Sequence, residues 1–181
     1  MTRELPQGKA TVIAESFSGL VALQILSSAA ARIGRVIFVG AFAEPPRPML
    51  LRFAPLALRS RALLRSAPAF LLRQFCLGAE ATTGDLRLLR EALAAVSPAV
   101  LAQRLALVGA RHAFGKRFEV PCYYLRAKQD RLVPSNTVGW FRSHFRDCEV
   151  LEIDGPHFLL QARPVEAAQE IRRIVAREVD A

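Results

Sequence analysis

VIAESFSGLV, residues 12–21, runs from an apolar segment through two serines and a glycine into a second apolar segment. The β-branched and small residues of Ala10–Ala14 predict a short buried strand, and Ser18–Ala31, rich in Ala, Leu and Ile, predicts a helix. A strand that turns sharply into a helix between small neighbours can expose a serine hydroxyl. Ser16 is therefore a candidate nucleophile. The alternative is that Ser16 or Ser18 caps the helix by accepting hydrogen bonds from its first N–H groups.

Apolar runs and helical segments alternate along the rest of the chain outside its middle. The predicted elements are strands at Arg35–Val39, Val120–Leu125 and Val150–Ile153, a first helix closed by Gly34, and later helices at Thr137–Phe145 and Pro164–Val179. Strands that alternate with helices indicate an α/β fold, with a parallel sheet of about four strands flanked by helices.

The middle of the chain differs from its two ends in charge and in pattern. Between Arg47 and Arg117 there are 12 Lys or Arg and 3 acidic residues, which accounts for the whole net charge of +9. This part is rich in Leu, Ala and Arg, is interrupted by prolines and contains no strand pattern, so it predicts several short helices. We therefore expect an α/β core formed by residues 1–46 and 115–181, with residues 47–114 as a helical cap.

Length and composition limit the class of protein. A chain of 181 residues with 52% hydrophobic content can form one substantial core. The polar start MTRELPQGK and the lack of a long apolar run favour a cytoplasmic protein. The three cysteines, Cys76, Cys122 and Cys148, are widely spaced and predict reduced, mostly buried thiols. With so few cysteines and histidines, the sequence predicts no metal site, and it predicts no cofactor.

Two residues that follow predicted strands could activate Ser16. A serine hydroxyl needs an imidazole to take its proton, and the imidazole needs a carboxylate to fix its tautomer. Asp130 follows the third strand and His157 follows the fourth, at the sheet edge where parallel sheets collect functional groups. As alternatives, Asp130 is a turn aspartate and His157 is a loop histidine that caps the last helix.

Other titratable residues fit these roles less well. His112 lies in the predicted cap, and His144 lies near the end of a predicted helix. Glu44, which follows the second strand, is a substitute for the acid. Asp130 is preferred because serine, acid and histidine then occur in the order 16, 130, 157, which is the chain order of one hydrolase fold.

These motifs resemble the carboxyl-terminal two thirds of the α/β-hydrolase family. ESFSG at 15–19 is similar to its nucleophile elbow, DRLVP at 130–134 to its acid loop and GPHF at 155–158 to its histidine loop. The chain departs from the usual pattern because Ala14 and Ser18 replace the two flanking glycines. The resemblance implies a serine hydrolase that acts on an ester or thioester, with Ser16, Asp130 and His157 as the catalytic triad.

The resemblance also predicts what is missing. Family members have further strands before the elbow, so we expect a truncated α/β-hydrolase fold. The Phe17 N–H would supply one oxyanion donor, whereas the second would normally come from a loop before the elbow, and this predicts weak activity. If the four strands keep the family's sequential order, the first is an edge strand, and its exposed edge at Thr11–Ala14 would pair with a second copy or with a partner chain.

The arginine-rich cap suggests further partners. Its mixture of apolar residues and arginines suits an acyl chain beside an anionic head group, or an anionic lipid surface, and equally a packed lid with a solvated basic face. Nucleic acid is a poor fit, because the cap carries phenylalanines but no Trp or Tyr and no base-reading motif. The remaining alternative is a binding or interaction protein that has kept the fold and lost efficient catalysis.

Overall fold

The structure is a computed structural model that describes residues 9–47, 68–114 and 117–177. Its centre is a parallel sheet of four strands in the order β1-β2-β3-β4. The strands are β1 (Ala10–Glu15), β2 (Ile33–Val39), β3 (Cys122–Ala127) and β4 (Cys148–Ile153). The predicted α/β class and sequential strand order are confirmed, and all four strands end at the same edge of the sheet.

Helices cover both faces of the sheet. They are α1 (Ser18–Ala29), α2 (Ala69–Leu72), α3 (Thr83–Ala95), α4 (Pro98–Gly109), α5 (Val138–His144), α6 (Leu159–Ala162) and α7 (Pro164–Val175). One face packs against α1 and α5 through residues such as Val36, Phe38 and Tyr124. The opposite face, which includes Ile37 and Leu125, packs against α6 and α7. Burial on both faces explains the apolar run Val36–Val39 in β2.

β1 is an edge strand, and its burial differs from that of β2. All residues of β2 are buried, whereas the residues of β1 alternate, with Thr11 and Ile13 exposed and Ala14 buried. The Ile13 side chain is 46% exposed although it is apolar. The prediction of a buried first strand is therefore wrong, whereas its expected place at an edge of the sheet is observed among the described residues.

Three predicted boundaries are also wrong. Gly34 does not close the first helix but lies inside β2, since α1 ends earlier in a 3-10 turn at Ala30–Arg32. β3 begins at Cys122 rather than Val120, because Pro121 has no N–H to donate and uses its carbonyl to accept from Val36 N–H. The last helix ends at Val175 instead of Val179.

Residues 68–114 form helices within the predicted cap. The first turn of α3 is fixed by reciprocal hydrogen bonds between Thr82 and Asp85, and the Ser97 hydroxyl caps α4. Between α2 and α3, a π-helical turn at Arg73–Leu77 ends at Gly78, whose φ is 84°. The predictions for residues 48–67 lie outside the described residues, and the division into core and cap stays a prediction.

No single helix in the described ranges has the length and apolarity to cross a membrane. The consecutive helices α3 and α4 meet that criterion together, but they are bent by 96° at the break between them.

Candidate active site

Ser16 lies in a strained turn between β1 and α1. Its φ of 51° is the sole positive value among the non-glycine residues that the structure describes. The left-handed conformation costs an L-amino acid about 1–2 kcal/mol. The turn is anchored because the Ser16 N–H donates to Val39 O at 2.9 Å and the Ser16 carbonyl accepts from Gly19 N–H at 3.0 Å. Neighbouring backbone therefore holds the serine in a conformation that it would otherwise avoid.

Small residues next to Ser16 let the elbow approach the sheet. A Cβ on Gly19 would lie 2.6 Å from Ala41 Cβ, so a larger residue would push α1 away from the end of β2. The serines do not cap the helix, since its N-cap residue is Phe17 and it has no side-chain capping bond. Ser18 Oγ instead donates to Glu15 O at 2.7 Å. The capping alternative is therefore wrong for both serines.

The structure brings the three predicted triad side chains together. His157 Nε2 lies 2.8 Å from Ser16 Oγ, and His157 Nδ1 lies 2.8 Å from Asp130 Oδ2. The histidine is 2% exposed. With its proton on Nδ1, the ring donates to the carboxylate and leaves Nε2 free to accept from the serine hydroxyl. This is the arrangement that acyl-transfer chemistry requires of a serine, an imidazole and a carboxylate.

The two carboxylate oxygens of Asp130 accept hydrogen bonds from different donors. Oδ2 accepts from His157, while Oδ1 accepts from the N–H groups of Leu132 at 2.9 Å and Val133 at 2.8 Å. The residue is therefore a turn aspartate and a partner of the histidine at once. The turn holds the carboxylate in place, so that the imidazole meets an acceptor whose position is already fixed.

The other candidate residues lie elsewhere. His112 is half-buried and pairs with Leu107 O, and His144 pairs with Trp140 O within α5. Glu44 is exposed, and the carboxylate beside His157 is that of Asp130.

Glu15 is a residue at this site that the sequence reading missed. Its carboxylate accepts from Leu160 N–H at 3.1 Å and from Gln161 Nε2 at 2.9 Å, both on α6. Glu15 precedes Ser16, and α6 begins two residues after His157, so these hydrogen bonds connect the serine turn to the histidine loop. The sequence feature that could have drawn attention to Glu15 is its acidic side chain at the end of a mostly apolar strand.

The helical segment 68–114 touches the site at two points. Phe158 N–H donates to Cys76 O at 3.0 Å, which fixes the π-helical turn against the histidine loop. Burial, and secondarily the Asp130 carboxylate, raise the pKa of the Cys76 thiol to about 11. On the other side, the guanidinium carbon of Arg104 on α4 lies 5.7 Å from the centroid of the Phe17 ring. A cation from this segment therefore lies beside the residue that follows the serine.

A cavity of about 350 Å³ lies between α3 and the histidine loop and is mainly apolar. Phe158 and Gln161 contribute to its wall, but Ser16, Asp130 and His157 do not. The cavity is therefore adjacent to the histidine loop and separate from the Ser16 hydroxyl.

Comparison with known proteins gives a structural answer only. No protein-family model matches the sequence, and no curated protein does. Solved structures match well: a hydrolase from Pseudomonas aeruginosa PA01 has a TM-score of 0.76 at 16% identity, covering 97% of this chain and 67% of its own. An esterase from Exiguobacterium antarcticum has a TM-score of 0.80 at 12% identity, covering 97% of this chain and 69% of its own.

A third neighbour is a bacterial membrane phospholipase A, with a TM-score of 0.71 at 18% identity over 92% of this chain and 56% of its own. This chain thus spans between 56% and 69% of the length of these three neighbours. At such identities the likeness establishes the fold. The parallel sheet, the turn at Ser16 and these neighbours together show that the chain has the α/β-hydrolase fold.

Proposed function

We propose that this chain is a serine hydrolase that transfers the acyl group of an ester or thioester to water. The observation that carries the proposal is the pair of 2.8 Å contacts that link Ser16 Oγ, His157 and Asp130. Ser16 and His157 are 141 residues apart in the sequence, and in the structure the serine hydroxyl contacts the buried imidazole of His157. Buried polar contacts of this kind, on a serine in a strained turn, are typical of an activated nucleophile.

In the proposed reaction, the hydroxyl of Ser16 attacks the acyl carbon while His157 Nε2 takes its proton. Asp130 stabilises the imidazolium that forms, and the imidazolium then gives the proton to the leaving alcohol or thiol. The product of this half-reaction is an acyl-serine. Water, deprotonated by the same imidazole, attacks the acyl-serine and releases the carboxylic acid and the free serine.

The proposed oxyanion donor is the backbone N–H of Phe17, which follows the nucleophile directly. Among the described residues this N–H has no hydrogen-bond acceptor, so it is free to donate to a developing oxyanion. One such donor is worth about 2.7–4 kcal/mol of transition-state stabilisation, or roughly 10² to 10³ in rate.

The proposed substrate class follows from the chemistry of the triad. An ester or thioester has a leaving group that a single imidazolium can protonate, and water can complete the cycle without a cofactor. Two of the structural neighbours carry names that describe ester hydrolysis, an esterase and a phospholipase A. We propose that this chain acts on the same class of bond, and we name no particular substrate.

The test is covalent labelling with a fluorophosphonate probe, which reacts with activated serines. We expect folded wild-type protein to be labelled at Ser16 and Ser16→Ala to be unlabelled. Ser18→Ala is the matched control, because Ser18 is two residues away and its hydroxyl donates to Glu15 O instead of a histidine. Absence of labelling in folded wild-type protein would favour the alternative of a binding protein with the same fold.

A second candidate function is contact with an anionic lipid surface through the cap. Five of the nine exposed large apolar residues of the described chain belong to residues 68–114: Phe70, Leu71, Leu88, Val100 and Leu107. The exposed arginines Arg87 and Arg104 occur among them. Apolar side chains next to arginines are the combination that interfacial helices present to anionic membranes.

Vesicle co-sedimentation tests this second candidate. We expect the protein to sediment with vesicles that contain phosphatidylserine, to sediment less with phosphatidylcholine alone, and to lose binding as salt is added. Leu88→Ser, in which an exposed residue of α3 is made polar, should weaken the binding without affecting labelling of Ser16. If the protein sediments with neither type of vesicle, contact with a lipid surface is rejected. The hydrolase proposal is not affected by that result.

A further inference from the structure

Two cysteines lie opposite each other at the start of neighbouring strands. Cys122 is the first residue of β3 and Cys148 the first of β4, and the two are register partners in the parallel ladder. Their sulfur atoms are 3.7 Å apart, the separation of a hydrogen bond between thiols. The strand starts are held together here because Cys122 N–H donates to Asp147 O at 2.9 Å. Neither sulfur takes part in the proposed acyl transfer.

The two thiols differ in environment. Cys122 is 2% exposed and belongs to the core of one sheet face, whereas Cys148 is partly exposed on the edge strand β4. The hydrogen bond with Cys122, and secondarily the Arg142 guanidinium of α5, hold the pKa of Cys148 below its ordinary value against the effect of burial. Burial raises the pKa of Cys122. Cys148 is therefore the thiol that is reachable from solvent and more readily ionised.

We propose that Cys122 and Cys148 form an oxidation site at which a peroxide converts the two thiols into a disulfide. The thiolate of Cys148 attacks one peroxide oxygen, the O–O bond breaks, and a sulfenic acid forms on Cys148 with release of water or an alcohol. The sulfur of Cys122 then attacks the Cys148 sulfur, the S–S bond forms as the S–O bond breaks, and the sulfenic hydroxyl leaves as water with the Cys122 proton. Both cysteines are oxidised and the peroxide is reduced.

The geometry suits this sequence of steps. A disulfide requires sulfurs about 2.05 Å apart, so side-chain rotation must bring the two sulfurs roughly 1.7 Å closer. Neighbouring parallel strands already place the two backbones about 4.8 Å apart, within the range that a disulfide spans. The site lies at the amino ends of β3 and β4, and the triad lies at their carboxyl ends. Oxidation should therefore leave Ser16 labelling close to its wild-type rate.

Cys76 provides an internal control. Its thiol is also partly buried, but its pKa is raised to about 11 and its sulfur has no second cysteine as a partner in the described residues. A thiol that stays protonated reacts slowly with peroxide. We expect Cys76 to react at least about tenfold more slowly than Cys148.

The experiment treats folded, reduced protein with a small excess of hydrogen peroxide, blocks the remaining thiols with iodoacetamide and maps the peptides by mass spectrometry. We expect protein lighter by two hydrogen atoms before alkylation, a linked peptide pair containing Cys122 and Cys148, and alkylated Cys76. Cys122→Ser should stop at a sulfenic acid on Cys148, which dimedone traps. Cys148→Ser should show no oxidation of Cys122 over the same time.

Several results would overturn the proposal: no linked pair in wild-type protein, irreversible oxidation of Cys148 without a link, or oxidation of Cys76 at an equal rate. Circular dichroism and a thermal melt show whether each variant is folded. If a variant does not fold, the wild-type peptide map alone decides, because it needs no substitution. The result is also independent of whether Ser16 proves to be an active nucleophile.

Discussion

Replacing Gly40 by alanine tests the proposed geometry of the triad without touching a triad residue. Gly40 follows β2 with a φ of 52°, and its N–H donates to Leu125 O at 3.1 Å. A Cβ at this position would lie 3.3 Å from Asp130 Oδ2, 3.4 Å from His157 O and 3.5 Å from His157 Nδ1. The added methyl group would therefore press on both atoms of the hydrogen bond between the carboxylate and the imidazole.

Two costs are expected for Gly40→Ala. The left-handed backbone alone should lower the free energy of unfolding by about 1–2 kcal/mol, which in a chain of this size corresponds to a fall in Tm of roughly 2–8 °C. The contact at 3.3 Å is tighter than ordinary packing, so Asp130 or the histidine loop must move by a few tenths of an ångström. Because an error of 1 Å in catalytic geometry can cost about 10²-fold, we expect the labelling rate of Ser16 to fall about tenfold.

The assay measures fluorophosphonate labelling and thermal unfolding of the same samples. Gly139→Ala is the matched control, since Gly139 lies in α5 and a Cβ there would meet nothing within 4 Å. That variant should gain about 0.5–1 kcal/mol of stability and label at the wild-type rate. If Gly40→Ala labels as fast as wild type at a temperature where both are folded, the histidine and the aspartate do not act in the geometry described.

Three further predictions concern other parts of the fold. Glu15→Ala should lower the free energy of unfolding by about 2 kcal/mol and slow labelling of Ser16 severalfold, because it removes both acceptors that hold α6. Gln161→Ala removes one of these hydrogen bonds. It should therefore have a smaller effect in the same melts and labelling assays. Two hydrogen bonds from Arg177 hold the pKa of Glu149 in the folded protein below its ordinary value. Their contribution to stability is present above the pKa of Glu149 in the unfolded chain, and it is lost as the pH falls through the lowered pKa of the folded protein. In urea melts, Glu149→Gln should therefore have a lower free energy of unfolding than wild type at neutral pH. In acid the two free energies should converge. Finally, we propose that the edge at Thr11–Ala14 pairs with a second copy, so its amides should gain protection from hydrogen exchange as concentration rises; a monomer with equally protected edge amides at every concentration would contradict this.

The positions of the strands along the chain were predictable because each strand has a strong local pattern. β2 ends in the apolar run Val36–Val39, as expected of a strand buried on both faces, and strands joined by helices indicate a parallel sheet. The sequential order of the strands was expected from the resemblance to the α/β-hydrolase family and not from these patterns. Ser16, Asp130 and His157 could be chosen because each follows a strand, and parallel strands end at the same edge. The distances between the three side chains were not available from these patterns.

Boundaries and supporting contacts were harder to predict for a physical reason. Gly34 reads as a helix stop, yet it lies in a strand because α1 had already ended at a 3-10 turn. Glu15 was passed over because its partners, Leu160 and Gln161, are about 145 residues away in the chain. Local propensity carries no information about such partners.

Sheet geometry explains why Gly40 and Glu15 matter together. Ser16 follows β1 and His157 follows β4, and these are the two outer strands of the sheet. Three strand spacings separate them, about 14 Å, so the histidine loop must cross over the ends of β3 and β2 to reach the serine. At β2 the crossing is close enough that a Cβ on Gly40 would touch His157 O, and at β1 the Glu15 carboxylate holds the helix that follows. The histidine loop is therefore constrained at two points of its path, by the close backbone approach at Gly40 and by the hydrogen bonds of Glu15 at its far end.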